Sequence, residues 1–497
     1  MAMRTDKEQF EKIEQAYETH EVGVKRKRKL ITIVLSAALV VVMIVSSVLV
    51  IPGLIKKDPT VVVNSDVKVP VDDSKEYFIT DKGKTDKVER NGFGGDLELP
   101  EGAYEPAADI APISAEGMPV PGGISDRISG IVVRDGEGLP GGLVVKPGGA
   151  EDQTQYVAGT LTGAELRDRL YYTDFNKSTQ ELYNNDEYIR AFDLIASTRC
   201  KVTVKNGETP LSFVKVELLD NNGKVLYTAI TDNKGEAYVF CRLTAQSTDA
   251  PAKIVCSLGE EKTEISLEQY DTLLPAEVNV ALKGENKGKK LDLMFVIDTT
   301  GSMGDELEYL KTEVRDIIAK ISGDENYSVR TSVNFYRDEE GDAYILHATP
   351  FRTDPEEVYA FISKEYSAGG GDYPEAVHLA LDNAVNDHAW DEDAVKLCFI
   401  VLDAPPHNNE VVYNSLRATI LAAAAKGIRI VPIVSSGSDG LTEYLMRTFA
   451  VMTGGTYTFL TDDSGVGYAH SKPETDVQYT IEKLNEMIVR IAKEYLA

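Results

Sequence analysis

Two hydrophobic periods divide the chain. From Lys290 onward, short unbroken apolar runs alternate with segments whose apolar residues recur every three to four positions. That is the pattern of buried parallel strands between amphipathic helices. LDLMFVID, KLCFIVLD, IRIVPIVSS and TYTFLT read as strands, with SVRTSVNFY and YILHATPF as two more. DELEYLKTEVRDIIAKI, DPEEVYAFISKEY, PEAVHLALDNAV, VVYNSLRATILAAAAKG, GLTEYLMRTFAVMTGG and DVQYTIEKLNEMIVRIAKEYL read as helices. The alternation predicts a doubly wound α/β domain over residues 290–497, with helices on both faces of a mainly parallel sheet. Between Arg199 and Lys283 the period is two instead. KVTVKN, VKVELLD, KVLYTAITD, EAYVFCRL, AKIVCSL, KTEISLE and EVNVALK predict a small antiparallel β-sandwich over 199–283, with turns at Asp220–Gly223 and Asp232–Gly235.

The N-terminal third has neither period. Residues 158–198 predict a helical connecting segment, in which Thr162 and Glu165 have the spacing of a helix capping box. Residues 56–157 are dense in Pro, Gly and Asp and predict a mostly irregular stalk with a few short strands. Leu30–Ile51 carries no charge, and the apolar run continues to Ile55. Such a length spans a hydrocarbon core of about 30 Å, so 30–55 is read as one transmembrane helix. Lys25–Lys29 is an unbroken basic run, against only Lys56 and Lys57 on the far side. The heavier basic flank is expected to stay in the cytoplasm with the tail 1–29, leaving the bulk of the chain outside the cell. The competing reading is a cleaved leader ending near Val45-Ser46-Ser47; the long charged N-terminus and the continued apolar run favour an uncleaved anchor.

Charge narrows the function. Asp and Glu number 80 against 52 Lys and Arg, for a net charge of -28. Nucleic acid, which requires a basic footprint, is excluded as a partner, whereas divalent cations are attracted. Four cysteines without a CxxC pair make neither a disulfide scaffold nor a zinc site.

The candidate chemistry lies where LDLMFVID turns polar. Asp298, Thr300 and Ser302 alternate around Gly301 and offer one carboxylate and two hydroxyls, hard oxygen ligands suited to Mg²⁺, with Mn²⁺ or Ca²⁺ as alternatives. Asp298 and Asp403 both end predicted strands, where open α/β sheets bind ligands. DTTGS resembles the DxSxS metal-ion-dependent adhesion motif of von Willebrand factor type A domains, with Thr300 in place of the first serine. GGGDYPEAV resembles the loop that supplies that family's third ligand, which implies Asp372 in the position where many members carry threonine. LDAPPH resembles the segment that supplies the distal aspartate, here Asp403. The resemblance implies a protein of a bacterial-type cell surface, in which a divalent cation binds a carboxylate offered by a protein partner. Separately, PLSFVKVELLDNNGKVLYTAITDNKGEAYV resembles the transthyretin-like or carboxypeptidase-regulatory-like sandwich, which implies a spacer or binding module.

Two other function classes compete with metal-dependent adhesion. One is a scaffold subunit of a membrane assembly. The other is a metal-dependent hydrolase, since DTTGS superficially resembles the phosphorylated-aspartate motifs of P-type ATPases and haloacid dehalogenase-like phosphatases. Thr299 and Thr300 stand where those motifs need lysine and a second aspartate, and no nucleophile accompanies His407. The chain is therefore expected to bind and not to catalyse. The charge asymmetry around Leu30–Ile51 generates a direct test of topology. Protease added to intact cells is expected to remove the α/β domain and spare an N-terminal tag; full protection of the domain reverses the orientation.

Overall fold

The computed structural model describes residues 76–81, 84–86, 156–286, 289–339 and 342–497. The basic tail, the apolar segment Leu30–Ile51 and nearly all of the expected stalk lie outside the described residues. Among the described residues no helix is long and apolar enough to cross a membrane.

In chain order the strands are β1 (Tyr77–Asp81), β2 (Lys84–Asp86), β3 (Thr162–Leu166), β4 (Arg199–Asn206), β5 (Thr209–Pro210) and β6 (Lys215–Asp220). Next come β7 (Val225–Ile230), β8 (Glu236–Phe240), β9 (Pro251–Leu258), β10 (Glu261–Ser266), β11 (Glu277–Ala281) and β12 (Lys290–Asp298). The last six are β13 (Ser328–Tyr336), β14 (Leu346–Ala348), β15 (Val395–Leu402), β16 (Ile428–Val434), β17 (Tyr457–Leu460) and β18 (Ile481–Lys483). The helices are α1 (Tyr172–Asn185), α2 (Glu187–Phe192), α3 (Leu307–Ser322), α4 (Pro355–Ile362), α5 (Val377–Asp382), α6 (Glu410–Lys426), α7 (Gly440–Thr453) and α8 (Leu484–Leu496).

One ten-stranded sheet carries the α/β domain, in the order β18-β3-β17-β16-β15-β12-β13-β14-β1-β2. Its middle, from β13 through β17, is parallel. The apolar run Leu291–Ile297 is buried throughout because helices cover both faces. Alternate residues serve opposite sides. Leu291, Leu293, Phe295 and Ile297 pack with Leu310, Val314 and Ile317 of α3, and with Ile488 of α8. Met294 and Val296 belong to the other core, with α5, α6 and α7. Side-chain carboxamide and carboxylate caps start three of these helices: Asp354 on α4, Asn409 on α6 and Asp439 on α7. Gly427 closes α6 in the left-handed conformation.

The chain leaves β12 towards β13 on one side, whereas β15 leads to β16 on the other. The carboxyl ends of the neighbouring strands β12 and β15 therefore mark a topological switch point, where the connections diverge and a crevice opens.

The small β unit forms two four-stranded sheets, β10-β9-β6-β7 and β11-β4-β5 with β8 on β4. Its buried residues, among them Val204, Leu218 and Ile254, join the same hydrophobic cluster as α6 and α7. Tyr227 donates to the Met452 carbonyl at 2.6 Å, and the Asn233 side chain donates to Glu494 and Ala497. The unit is thus docked on the α/β domain and is no free spacer.

Two expectations are corrected. The capping-box spacing at Thr162 starts no helix: Thr162–Leu166 is a strand, antiparallel to β17 and to β18. Gly163 permits it, because a Cβ there would stand 2.9 Å from the Phe459 carbonyl. The helices of 158–198 begin only at Tyr172. The C-terminal helix likewise begins at Leu484, since β-branched Ile481 is drawn into β18. From the expected stalk, Tyr77–Asp81 pairs antiparallel with β14 and extends the opposite sheet edge.

Entry into β3 is held by one carboxylate. Glu313 of α3, fully buried, accepts from the backbone amides of Gly159, Thr160 and Leu161 at 2.8, 2.9 and 3.1 Å. Glu313→Ala leaves those amides without their acceptor and is expected to cost about 3 kcal/mol. Chemical denaturation of variant and wild type checks this; an unshifted midpoint contradicts it.

Candidate metal centre

Asp298 is the last residue of β12 and is fully buried. Its Oδ1 accepts from the Thr300 amide at 2.8 Å and from the Thr300 hydroxyl at 2.7 Å. The Thr300 hydroxyl lies 3.2 Å from that of Ser302, which is exposed. Thr299, between them, points to the opposite side. It donates to the Tyr336 carbonyl at 3.0 Å and sits 2.9 Å from the Tyr344 hydroxyl. The two-residue alternation of the strand thus continues through the turn and gathers Asp298, Thr300 and Ser302 on one side.

Glycines let a second loop close on this turn. The Gly301 amide donates to the Gly369 carbonyl at 3.0 Å, and the Ala368 amide to that of Thr299 at 2.9 Å. Gly301 is needed for close approach: a Cβ there would lie 3.1 Å from the Gly369 oxygen. Gly370, at φ +72°, carries the loop past Thr300 and Glu375; a Cβ would stand 2.9 Å from Glu375 Oε1.

Beyond these glycines the expected ligand set divides. Asp372 is exposed, and no hydrogen bond or ion pair among the described residues ties it to the other four candidates. Glu375, three residues on, is only 3% exposed. Its amide donates to the Pro405 carbonyl at 2.9 Å, which fixes it against the loop after β15. That loop begins with Asp403, buried at the end of β15. Ser302 lies close enough to Asp403 to stabilise its charge by hydrogen bonding. His407 turns away, its Nε2 2.6 Å from Asp338 Oδ1.

The buried carboxylates repel one another. Burial, then the nearby Asp403 charge, pushes Asp298 up to about 7. Burial raises Asp403 to about 6, and burial with Asp298 nearby raises Glu375 to about 10. Among the described residues no cation is a leading influence on any of the three. Arg337 is engaged by Glu365 and the Tyr366 carbonyl. One oxygen on each carboxylate, Asp298 Oδ2, Asp403 Oδ1 and Glu375 Oε2, is buried with no hydrogen-bond partner. Tyr336 faces Asp298 without completing a hydrogen bond. Glu306, also buried, adds to the field on Asp403 and is itself held by His470 at 3.1 Å and by the Ser436 amide. Burial lowers the His470 pKa, but its bonds to Glu306 and Asp462 outweigh this and raise it.

Orphaned carboxylate oxygens beside hydroxyls fit a hard divalent cation, which would take Asp298, Thr300, Ser302 and Asp403 as its oxygen donors. Among the described residues no three His, Cys, Asp or Glu side chains converge into a ready metal cage. The donor set here mixes carboxylates with hydroxyls.

Fold and site define an α/β domain with an oxygen-lined centre at its switch point. Residues 292–465 match the family model of the von Willebrand factor A domain, and the chain carries such a domain there. Alpha-protein kinase vwkA of Dictyostelium discoideum is 22% identical over 204 residues, 41% of this chain and 31% of that protein. Putative ariadne-like RING finger protein R811 of Acanthamoeba polyphaga mimivirus is 33% identical over 121 residues, 24% of this chain and 11% of that one. The chain therefore spans under a third of either relative. The solved structure of conserved hypothetical protein BatB from Bacteroides thetaiotaomicron is similar with a TM-score of 0.29 at 14% identity, covering 41% of this chain and 98% of that one.

The raised pKa values of Asp298 and Asp403 set a sign. Without metal, the folded chain binds protons that the unfolded chain has already released, so this pair's stabilisation is complete below about pH 4 and lost as pH rises towards 7. Thermal melts in chelator are expected to fall across that window by less in Asp298→Asn than in wild type. Mg²⁺ should reverse the wild-type loss at pH 7. Parallel pH profiles for the two proteins contradict the assignment.

Proposed function

We propose that this chain is a membrane-anchored surface protein whose von Willebrand factor A domain binds a protein partner through a divalent cation, Mg²⁺ in the first place. A von Willebrand factor A domain implies a role in protein interaction or adhesion, and the rest of the reading is ours. The observation that carries it is the pair Asp298 and Asp403. Both are buried at the switch point, and each keeps one oxygen that no group among the described residues satisfies. A bound cation supplies the missing positive charge and a coordination position for a partner's carboxylate.

The residues have separate tasks. Asp298 presents Oδ2, because Thr300 occupies Oδ1. Ser302 stands at the surface, where a partner's oxygen arrives. Around this point the carboxyl-end loops expose Tyr366, Tyr373 and Tyr468, and the first turn of α6 exposes Val411. Exposed aromatic and aliphatic side chains beside a polar centre suit a protein interface, where aromatic anchors supply much of the binding energy. We read the chain as a binder and not as an enzyme, because Thr300 stands where phosphoryl chemistry needs a second acid. Leu30–Ile51 provides the anchor, with the N-terminus in the cytoplasm and the domain outside.

Asp298→Ala is expected to lower Mg²⁺ affinity by more than about tenfold while the melting temperature in chelator is kept or raised. Calorimetric titration of the full chain checks the affinity. Partner retained on the immobilised wild type should elute with chelator and never load on the variant. Undiminished Mg²⁺ binding by the variant refutes the centre, and chelator-resistant capture returns the function to a metal-independent scaffold.

A further inference from the structure

Asp372, expected to be the third ligand, is exposed, whereas Glu375 is buried beside Thr300 with Oε2 unpartnered. Three features of the backbone serve to put it there. Gly370 adopts a left-handed conformation that leaves no room for a Cβ between Glu375 Oε1, at 2.9 Å, and the Thr300 side chain, at 3.3 Å. The Glu375 amide is bonded to the Pro405 carbonyl, and Glu375 forms a lone parallel bridge with Pro406. The residue therefore spans the loops that bear Thr300 and Asp403. A glutamate brought this far in, with Asp298 and Asp403 nearby and Oε2 unpartnered among the described residues, is costly unless a cation shares the space.

We propose that Glu375 is the third carboxylate of the cation centre and sets its charge balance, the role that the sequence pattern assigned to Asp372. The proposal rests on the reading of Asp298 and Asp403 as a cation site. Where a neutral hydroxyl in the third position would leave the cation's charge free to attract a partner, Glu375 completes three negative charges against two positive. The centre then holds its ion firmly and binds an acidic partner weakly and reversibly, because ion affinity rises with ligand charge while the field left for a fourth carboxylate falls.

The test titrates Mg²⁺ alone into the purified full chain and its variants, with melting temperatures in chelator as a control of folding. Glu375→Gln, nearly isosteric, is expected to bind Mg²⁺ at least tenfold more weakly than wild type. Asp372→Asn should stay within twofold. Glu375→Asp, which keeps the charge, should retain most of the affinity. Unchanged binding by a folded Glu375→Gln overturns the proposal and leaves the cation site standing. Equal losses in Gln and Asp assign Glu375 to packing and overturn it too. A tenfold loss in Asp372→Asn returns the third position to Asp372. If Asp298→Ala binds as wild type does, the cation site fails, and this inference with it.

Discussion

The structure turns on a carboxylate buried where two parallel strands part. Asp298 ends β12 with no solvent contact, and Asp403 follows the last residue of β15 nearby. An ionised carboxylate in such a place is strongly penalised unless it is paired or well bonded, and here the neighbours are further carboxylates. The surrounding chain is arranged to keep these groups in place. Phe295 stacks on Phe399 with ring centroids 5.4 Å apart, just below the strand ends. Packing on both sheet faces keeps the strand register from slipping, and in that register Ile297 pairs with Val401, so that Asp298 and Asp403 stand just past the last pair of the two strands.

The turn after Asp298 is fixed from its other side as well. Thr299 is bonded to the Tyr336 carbonyl and near the Tyr344 hydroxyl, which reaches Glu365. Glu365 in turn engages Arg337 and His347. This network ties Thr299 through Tyr344 and Glu365 to Arg337 and His347, and Arg337 Nε is left without a partner among the described residues. Within about seven ångströms of chain, alternate residues thus lead to an Arg–Glu–His network on one side and to carboxylate oxygens without a partner among the described residues on the other.

Much of the α/β fold was legible because its signals are local. Apolar runs such as Leu291–Ile297, and the caps Asp354, Asn409 and Asp439, act within a few residues of themselves. The strand Thr162–Leu166 was illegible because its partner is almost three hundred residues away, and T-x-x-E is a fair local argument for a helix. The small β unit was legible as strands from its period of two, but its docking on α6 and α7 was not, since Tyr227 and Asn233 give no sign of a distant partner. In the centre, the turn Asp298–Ser302 and the position of Asp403 followed from strand ends. Glu375 was missed because Pro-Glu-Ala-Val reads as an ordinary helix start, in which glutamate in the first turn needs no further reason. The positive φ of Gly369 and Gly370 swings Asp372 out and the chain inward, and a run of three glycines does not announce its direction.

The edges of the sheet show that the centre belongs to a larger body than residues 290–497. On one side β3 covers the edge of β17 and takes β18 on its own far side. On the other, β1 covers β14 and is followed by β2. Open edges invite pairing with other chains, and segments from before the small β unit occupy both. The same unit sits on α6 and α7, the helices that follow Asp403 and the crevice-facing end of β16. Among the described residues, β1 and β3 therefore join the α/β domain through strand pairing, and the small β unit joins it through a shared hydrophobic core. The proposed centre draws its oxygens from three separate loops, and a scaffold tied together in this way would hold them within reach of one ion.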